Sequence, residues 1–234
     1  MSASAKITPP ALHEFRDLLP HLPGLSPEPG TAAWQWGAGK LPVDLANAQS
    51  RLAIAQQRFP LKIDHPRLAI LTSGANAAWV NNLTSGNELL PYLCQTVDAD
   101  LRLYEMPGQG VLDETQTAQA IAYGMMAVET GVDFIAAYLD DDLGGEIISA
   151  TDPLLALQAA NSRPLAALLG LVLAARMGKV PVVLLGNTAI KAANLWQNAY
   201  PSLLEHVLPL PGQMADFAPL VQQFRAIAAW QRAG

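Results

Sequence analysis

The sequence is poor in cysteine and in charged residues. It has one cysteine, Cys94, in 234 residues, which rules out an intrachain disulfide and a site built from several thiolates. Charged residues make up 15% of the chain, and 20 Asp and Glu outnumber 14 Lys and Arg, for a net charge of -6. Nucleic-acid-binding proteins present a basic face to phosphates, so we expect small-molecule or protein partners and no nucleic acid.

Targeting segments and common catalytic motifs are also missing. No apolar stretch of signal-peptide type precedes Pro9 and Pro10, and the longest apolar run, 165–175, is well short of the roughly 20 residues that cross a bilayer. We therefore expect a cytoplasmic protein without a membrane partner. The four histidines do not pair at metal-binding spacing, and Walker A, Gly-x-Gly-x-x-Gly and Gly-x-Ser-x-Gly patterns do not occur. The sequence thus predicts neither a zinc site nor a cofactor.

Short apolar segments alternate with longer segments rich in Ala and Leu. The apolar segments, which we predict to be strands, are 67–72, 101–105, 134–139, 180–185 and 207–210. The predicted helices are 44–58 with an Asp44 N-cap, 88–96, 114–130, 153–160 with 164–177, and 189–198. Repeated β-α units predict an α/β fold, a mainly parallel sheet with helices on both faces in a Rossmann-like three-layer arrangement.

Residues 9–42 differ from the rest of the chain by their density of Pro and Gly. Such a composition is typical of short helices and extended connections on a surface. We predict an N-terminal arm over residues 1–43, followed by a single α/β domain over 44–234.

Ligands of parallel sheets bind at the carboxyl ends of the strands, which directs attention to the loops 73–86, 106–113, 140–152 and 186–188. In the first of these loops, Gly74 permits a tight turn, while Ser73 and Asn76 can hydrogen-bond a ligand. The same residues are ordinary turn formers, so both interpretations stay open. Trp79 can stack on a planar ligand or pack in the core or at a dimer contact.

The loop after the third predicted strand is rich in carboxylates. Its candidate residues are Asp140, Asp141, Asp142, Gly144, Gly145 and Glu146. Asp140, Asp141 and Glu146 are weak candidates for a general base, and carboxylates here can also face a ligand, hold a divalent cation or cap the following helix. Consecutive side chains cannot all point one way, so a complete metal site is not predicted.

A third candidate lies between the fourth predicted strand and its helix. Gly186, Asn187 and Thr188, with Lys191 in the helix, can offer backbone N–H groups, a hydroxyl and a cation to a phosphate. Asn and Thr are also common N-cap residues, and capping explains the pattern equally well.

Three stretches in order resemble one known family. Residues 79–87 (WVNNLTSGN), 89–93 (LLPYL) and 98–103 (DADLRL) resemble a family segment in which an Asn-x-Leu-x-x-Gly turn leads into a Gly-Ala-Asp-Leu strand. Residues 114–135 are similar to the helix and strand before its Gly-Glu-Met-Gly-Ile-Gly-Asn-Thr-Thr motif. Residues 164–185 resemble the helix and strand before its Asp-Gly-Phe segment. The family is that of the nicotinate-nucleotide:dimethylbenzimidazole phosphoribosyltransferases, and the resemblance covers about residues 39–211.

The resemblance implies a substrate class and an oligomeric state. Members of this family transfer phosphoribose from nicotinate mononucleotide to dimethylbenzimidazole in cobalamin nucleotide-loop assembly, and they are usually homodimers. The chemistry needs an anion anchor, a flat pocket and a base that takes the ring proton.

The chain departs from the family pattern at several of its motifs. The family's base is a Glu in a late Gly-Glu-Gly-Thr-Gly-like stretch; no such stretch follows Pro211, and Asp216 is a poor substitute. The family's Asp-His-Gly is replaced around Ser73 and Gly74, and its Asp-Gly-Phe aspartate falls near Gly186. We therefore expect a shortened and divergent member of the family.

Two hypotheses follow from these departures. The chain is either a divergent phosphoribosyltransferase-like protein or a non-catalytic paralogue that binds a nucleotide or an aromatic base. A weaker third hypothesis is an interaction platform whose terminal helix, within 215–234, serves assembly.

Overall fold

The computed structural model describes residues 11–107, 112–141 and 153–233. Within these ranges all the paired strands run parallel in one sheet of order β2-β1-β3-β4-β5. The strands are β1 Pro66–Thr72, β2 Asp100–Glu105, β3 Phe134–Asp140, β4 Val182–Leu185 and β5 Val207–Leu210. Each predicted strand is present, with ends that agree to within two residues.

Helices precede the first strand, connect the strands and follow the last one. They are α1 Leu12–Leu18, α2 Glu28–Gly37, α3 Val43–Gln56, α4 Ala77–Thr84, α5 Leu89–Thr96, α6 Glu114–Met125, α7 Pro153–Ala160, α8 Arg163–Gly178, α9 Asn187–Ala199 and α10 Phe217–Ala233. Short 3-10 turns occupy Leu19–His21, Pro201–Leu204 and Met214–Asp216.

The sheet is buried on both faces. On one face, Ala69 and Ile135 belong to a hydrophobic cluster with residues of α1, α6, α7, α8 and α9. On the other, Ile70 and Phe134 cluster with residues of α2, α3, α4, α5 and α10. Every residue of β1 is buried, which explains why its central segment 68–71 is a continuous apolar run with no alternation. The predicted three-layer α/β fold is confirmed.

The segment before α3 is built into this core. Leu12 and Phe15 of α1 are buried on one side of the sheet, and Ala33 of α2 is buried on the other. The connection between α1 and α2 is fixed by Arg176, whose Nε donates to the Pro23 carbonyl oxygen at 2.9 Å. These residues form short helices as predicted, but they contribute to both cores as well as to the surface. The domain boundary at residue 43 stays a prediction.

Three local predictions are wrong. Helix α3 begins at Val43 with Pro42 as its N-cap, so Asp44 lies in the first turn, where its charge still complements the helix dipole. Helix α6 ends at Met125, five residues before its predicted end. The predicted loop 73–86 contains α4, which periodicity missed because the helix has only eight residues.

A bilayer-crossing helix is not found among the residues described above, since none combines the required length with the required apolar character.

Candidate functional site

The strand order places two strand ends side by side. The chain leaves β1 toward β2 at one side, and β3 pairs with β1 on the other, so the direction of winding reverses between β1 and β3. Ligands of doubly wound sheets bind at this kind of switch point, outside the carboxyl ends of the strands. Thr72 of β1 is in register with Asp140 of β3, so the loops that follow them are neighbours.

A hydrogen-bonded bridge fixes Asp140 at this point. The buried Thr72 hydroxyl donates to Asp140 Oδ2 at 3.0 Å and accepts from the Gly74 N–H at 3.0 Å. Gly74 has φ of +74°, and a Cβ there would lie 2.9 Å from Glu105 Oε1. The turn therefore needs glycine, and through Thr72 it holds the carboxylate of Asp140 in place.

Asp141 is held by a second hydroxyl. The buried Ser162 donates its hydroxyl hydrogen bond to Asp141 Oδ2, and the same hydroxyl oxygen accepts from the Leu165 N–H at 3.0 Å as the N-cap of α8. Both carboxylates are thus oriented by neutral partners, and neither has a salt bridge within the described part of the chain.

These groups line a depression of about 430 Å³, which we call the carboxylate cleft. Its lining residues are Ser73, Ala75, Asn76, Tyr138, Leu139, Asp140, Asp141 and Thr188. Ionised carboxylates only accept hydrogen bonds, whereas hydroxyls donate and accept. The cleft therefore suits a ligand with hydroxyl or amino donors, such as a sugar.

A second depression of about 600 Å³, the apolar cleft, adjoins the first. Its lining residues are Trp79, Glu88, Leu89, Leu90, Leu93, Tyr138, Gly186, Asn187, Thr188, Gly212, Gln213, Met214 and Ala215. Tyr138 and Thr188 line both clefts. Aromatic and aliphatic side chains line it together with several polar residues, and such a combination can hold a planar ligand that also forms hydrogen bonds.

Tyr138 stands where the two clefts meet. A Cβ on Gly186 would lie 3.0 Å from the Tyr138 Cε2 atom, and Gly186 has φ of +88°, so both the close approach and the backbone require glycine. Burial raises the pKa of Tyr138, and the nearby negative charge of Asp140 adds to this rise. The hydroxyl thus stays protonated and able to donate.

The N-terminus of α9 opens onto both clefts. Helix α9 starts at Asn187 with Gly186 as N-cap, and no side chain caps it. Helices α4, α6 and α8, by contrast, are capped by Asn76, Asp113 and Ser162. Asn187 and Thr188 lie inside the first turn of α9, so the capping explanation of this sequence pattern is wrong. An uncapped helix N-terminus presents N–H groups and a positive dipole end to an anion.

The structure brings most of the predicted site residues together. Ser73, Asn76, Asp140, Asp141 and Thr188 line the carboxylate cleft, and Gly186 and Asn187 line the apolar cleft. Asn76 has a structural task as well, because its Oδ1 accepts from the Trp79 N–H at 3.2 Å.

Other predicted residues are not part of these linings. Gly74 shapes the turn beside the carboxylate cleft, and the exposed Lys191 lines neither cleft. Asp142, Gly144, Gly145 and Glu146 lie outside the described residues. In the described ranges no three His, Cys, Asp or Glu side chains are grouped to hold a metal ion.

Sequence reasoning missed three parts of the apolar cleft. The loop after β5 supplies residues 212–215, and the rule about carboxyl strand ends should have included it. Tyr138 lies within the predicted strand 134–139, and Glu88 is the first residue of the predicted helix 88–96. No local pattern marks either of these two as facing a cleft.

The strand order defines the class of fold, and a solved structure with the same fold is known. The order β2-β1-β3-β4-β5 with helices on both faces defines a doubly wound α/β protein. The solved nicotinate-nucleotide–dimethylbenzimidazole phosphoribosyltransferase of Thermus thermophilus has the same fold, with a TM-score of 0.66 and 15% identity over 89% of this chain and 96% of that one.

Curated sequences that are similar to this chain carry the same enzyme name. The nicotinate-nucleotide–dimethylbenzimidazole phosphoribosyltransferase of Sinorhizobium fredii is 26% identical over 58% of this chain and 56% of its own length. That of Rhizobium meliloti is 24% identical over 83% and 78%. No family model matches the chain. The chain thus spans little more than half the length of the first of these relatives, and its predicted resemblance to them is confirmed.

Proposed function

We propose that this protein is a divergent phosphoribosyltransferase-like protein of cobamide lower-ligand metabolism, which holds a nucleotide and an aromatic base side by side. The observation that supports this most is the union of two unlike clefts at the β1/β3 switch point. One is walled by Trp79 and Leu90, the other by Asp140 and Asp141, and Tyr138 and Thr188 belong to both.

Each part of the proposed ligands has a complementary surface. A benzimidazole fits the apolar cleft, because its flat rings need aromatic and aliphatic walls. A ribose hydroxyl can donate to Asp140 or Asp141 in the carboxylate cleft. The phosphate has its counterpart in the uncapped start of α9, at Asn187 and Thr188.

The transfer itself is a substitution at the ribose anomeric carbon. A ring nitrogen of the base forms a bond to this carbon while the bond to the nicotinate nitrogen breaks, and the ring N–H proton leaves. Two ligands held in adjoining clefts gain from proximity, which can supply several kcal/mol of the barrier. Because Tyr138 and Thr188 line both clefts, ligands bound in the two clefts would lie next to each other.

A non-catalytic paralogue that binds the same ligands is the second candidate. The observation in its favour is that Asp140 and Asp141 each already accept a hydrogen bond from a hydroxyl, of Thr72 and Ser162. A carboxylate oxygen that already accepts a hydrogen bond has fewer lone pairs left to accept a substrate proton.

Nicotinate release tests the two candidates against each other. The protein is incubated with nicotinate mononucleotide and dimethylbenzimidazole, and nicotinate is followed by chromatography, while calorimetry measures binding of each compound alone. Release that needs both compounds supports the enzyme, and binding without release supports the paralogue. Absence of binding and of release would contradict both.

We further propose a cytoplasmic homodimer, as the resemblance implies. Leu89 and Tyr92 on α5 are 64% and 63% exposed, which leaves an apolar surface beside the apolar cleft. Sedimentation equilibrium should give a dimer, and Tyr92→Asp should shift it toward monomer. A wild-type monomer at micromolar concentration would contradict the proposal.

A further inference from the structure

Glu88 lies at the rim of the apolar cleft, directly before α5. The residue is partly buried and lines the cleft together with Leu89, Leu90 and Met214. Of the described residues in this lining, Glu88 alone carries a carboxylate. Asp140 and Asp141 line the other cleft and already accept hydrogen bonds.

Helix capping does not account for Glu88 at this position. It occupies the N-cap position of α5, but its side chain makes no capping hydrogen bond. Ser, Thr, Asp and Asn are the favoured N-caps, and they fill this position in α4, α6 and α8. Among the described residues Glu88 also has neither a salt bridge nor a hydrogen-bonded side-chain partner. A poor capping residue thus stands at the rim of a cleft whose other described lining residues are uncharged.

We propose that Glu88 is the catalytic base of this site and takes the ring N–H proton of the aromatic base; this rests on the proposed function. As the other ring nitrogen bonds to the anomeric carbon, the bond between that carbon and nicotinate breaks, and nicotinate leaves with its electron pair. The proton passes to the Glu88 carboxylate and then to water. The products are a benzimidazole nucleotide, nicotinate and a proton, so the step needs no further reactant.

The kinetic test replaces the carboxylate by an amide of the same shape. Glu88→Gln should lower the rate of nicotinate release about 100-fold or more, because a positioned general base contributes about 10²–10⁴-fold. The dissociation constant of dimethylbenzimidazole should stay within about threefold, since burial of the rings is unchanged and the Gln oxygen still accepts the ring N–H hydrogen bond. The acid limb of the wild-type pH–rate profile should disappear in the variant. Glu114→Gln, an exposed change on α6 across the sheet, is the matched control and should keep the wild-type rate.

A binding test reads the same contact without turnover. Wild type should bind dimethylbenzimidazole about tenfold more tightly than its N-methyl derivative, because a hydrogen bond to a charged group gives about this discrimination. Glu88→Ala should abolish the preference, and circular dichroism should show the folded state of each variant.

The outcomes separate this inference from the proposed function. If Glu88→Gln releases nicotinate at the wild-type rate, Glu88 is not the catalytic base, and the proposed transferase activity still stands. If wild type binds dimethylbenzimidazole and its N-methyl derivative equally well, Glu88 does not contact the ring N–H, and the protein still binds the aromatic base. Absence of binding of both the base and nicotinate mononucleotide overturns both proposals.

Discussion

Polar residues have different partners at the two ends of the parallel strands. We call the side of the sheet where the strands begin the amino edge and the side where they finish the carboxyl edge. At the amino edge, the Arg67 guanidinium donates to Asp100, Glu129 and the Ala127 carbonyl oxygen, at 2.7 to 3.0 Å. Arg225 of α10 donates to three backbone carbonyls of residues 63, 64 and 97. Partial burial alone would raise the pKa of Asp100, but hydrogen bonds from Arg102 and Arg67 lower it overall.

At the carboxyl edge the described carboxylates that line the two clefts have neutral partners or none. Asp140 and Asp141 accept from hydroxyls, Glu88 has no side-chain partner among the described residues, and the start of α9 is uncapped. Ion pairs thus hold polar groups of the amino edge, whereas the described polar groups of the carboxyl edge keep unused hydrogen-bonding capacity. Substitutions at the amino edge should therefore change stability, and those at the carboxyl edge should change binding.

Arg67→Met should have the largest effect. Arg67 is 3% exposed, so its loss leaves the buried Ala127 carbonyl unpaired and removes two ion pairs, which we expect to cost about 3 kcal/mol of unfolding free energy. This figure is at the low end for buried pairs because the partner carboxylates are about half exposed. Urea unfolding measures it. Arg102→Met, at an exposed partner of Asp100, should cost less than about 1 kcal/mol. Equal losses of unfolding free energy for Arg67→Met and Arg102→Met would contradict the special role of the buried Arg67.

Acid should also weaken the amino edge, through His206 just before β5. Burial lowers the pKa of His206 to about 3, helped by the positive charge of Arg176, whereas the unfolded value is near 6.5. The unfolded chain therefore takes up a proton that the folded chain refuses. Stability is complete above pH 6.5 and falls as the pH drops toward 3, by about 2 kcal/mol between pH 6.5 and 5.

Unfolding at several pH values tests the role of His206. His206→Leu should remove this part of the pH dependence, whatever its effect on stability at pH 7. His65→Asn, at an exposed position, should retain the wild-type slope. A wild-type stability that does not change between pH 6.5 and 5 would contradict the lowered pKa of His206 in the folded protein.

Asp140→Asn probes the carboxyl edge. The amide oxygen can still accept from the Thr72 hydroxyl, so unfolding free energy should change by less than about 1 kcal/mol. Loss of the charge should weaken binding of nicotinate mononucleotide about tenfold, if a ribose hydroxyl donates to this carboxylate. Calorimetry measures the affinity. A loss of several kcal/mol of stability with unchanged binding would reverse the assignment of this edge.

Tyr138→Phe should have the smallest effect. The ring still packs against Gly186, so stability should be nearly unchanged, while loss of the hydroxyl should weaken nucleotide binding about fivefold. Binding of dimethylbenzimidazole should stay within about twofold, because the apolar wall is retained. Tyr123→Phe on α6 is the matched control, and an equal effect of both changes on binding would contradict the role of Tyr138.

The sequence determined the alternation of strands and helices and the edge of the sheet that carries the site. Strands such as β1 and β3 are fully or almost fully buried, so their apolar runs are unambiguous, and the residue types that follow them are readable in order. This rule predicts Ser73, Asn76, Asp140 and Thr188, which line one cleft of the structure.

Only the tertiary structure decided which of these loops meet. Strand order depends on packing between distant segments, so β1 lies beside β3, and residues 212–215 reach a cleft shared with α4 and α5. The direction of one side chain, such as Tyr138 or Glu88, depends on neighbours that no local pattern contains. Helix α9 likewise begins at Asn187 without a side-chain cap, although Asn and Thr are residues that cap many other helices.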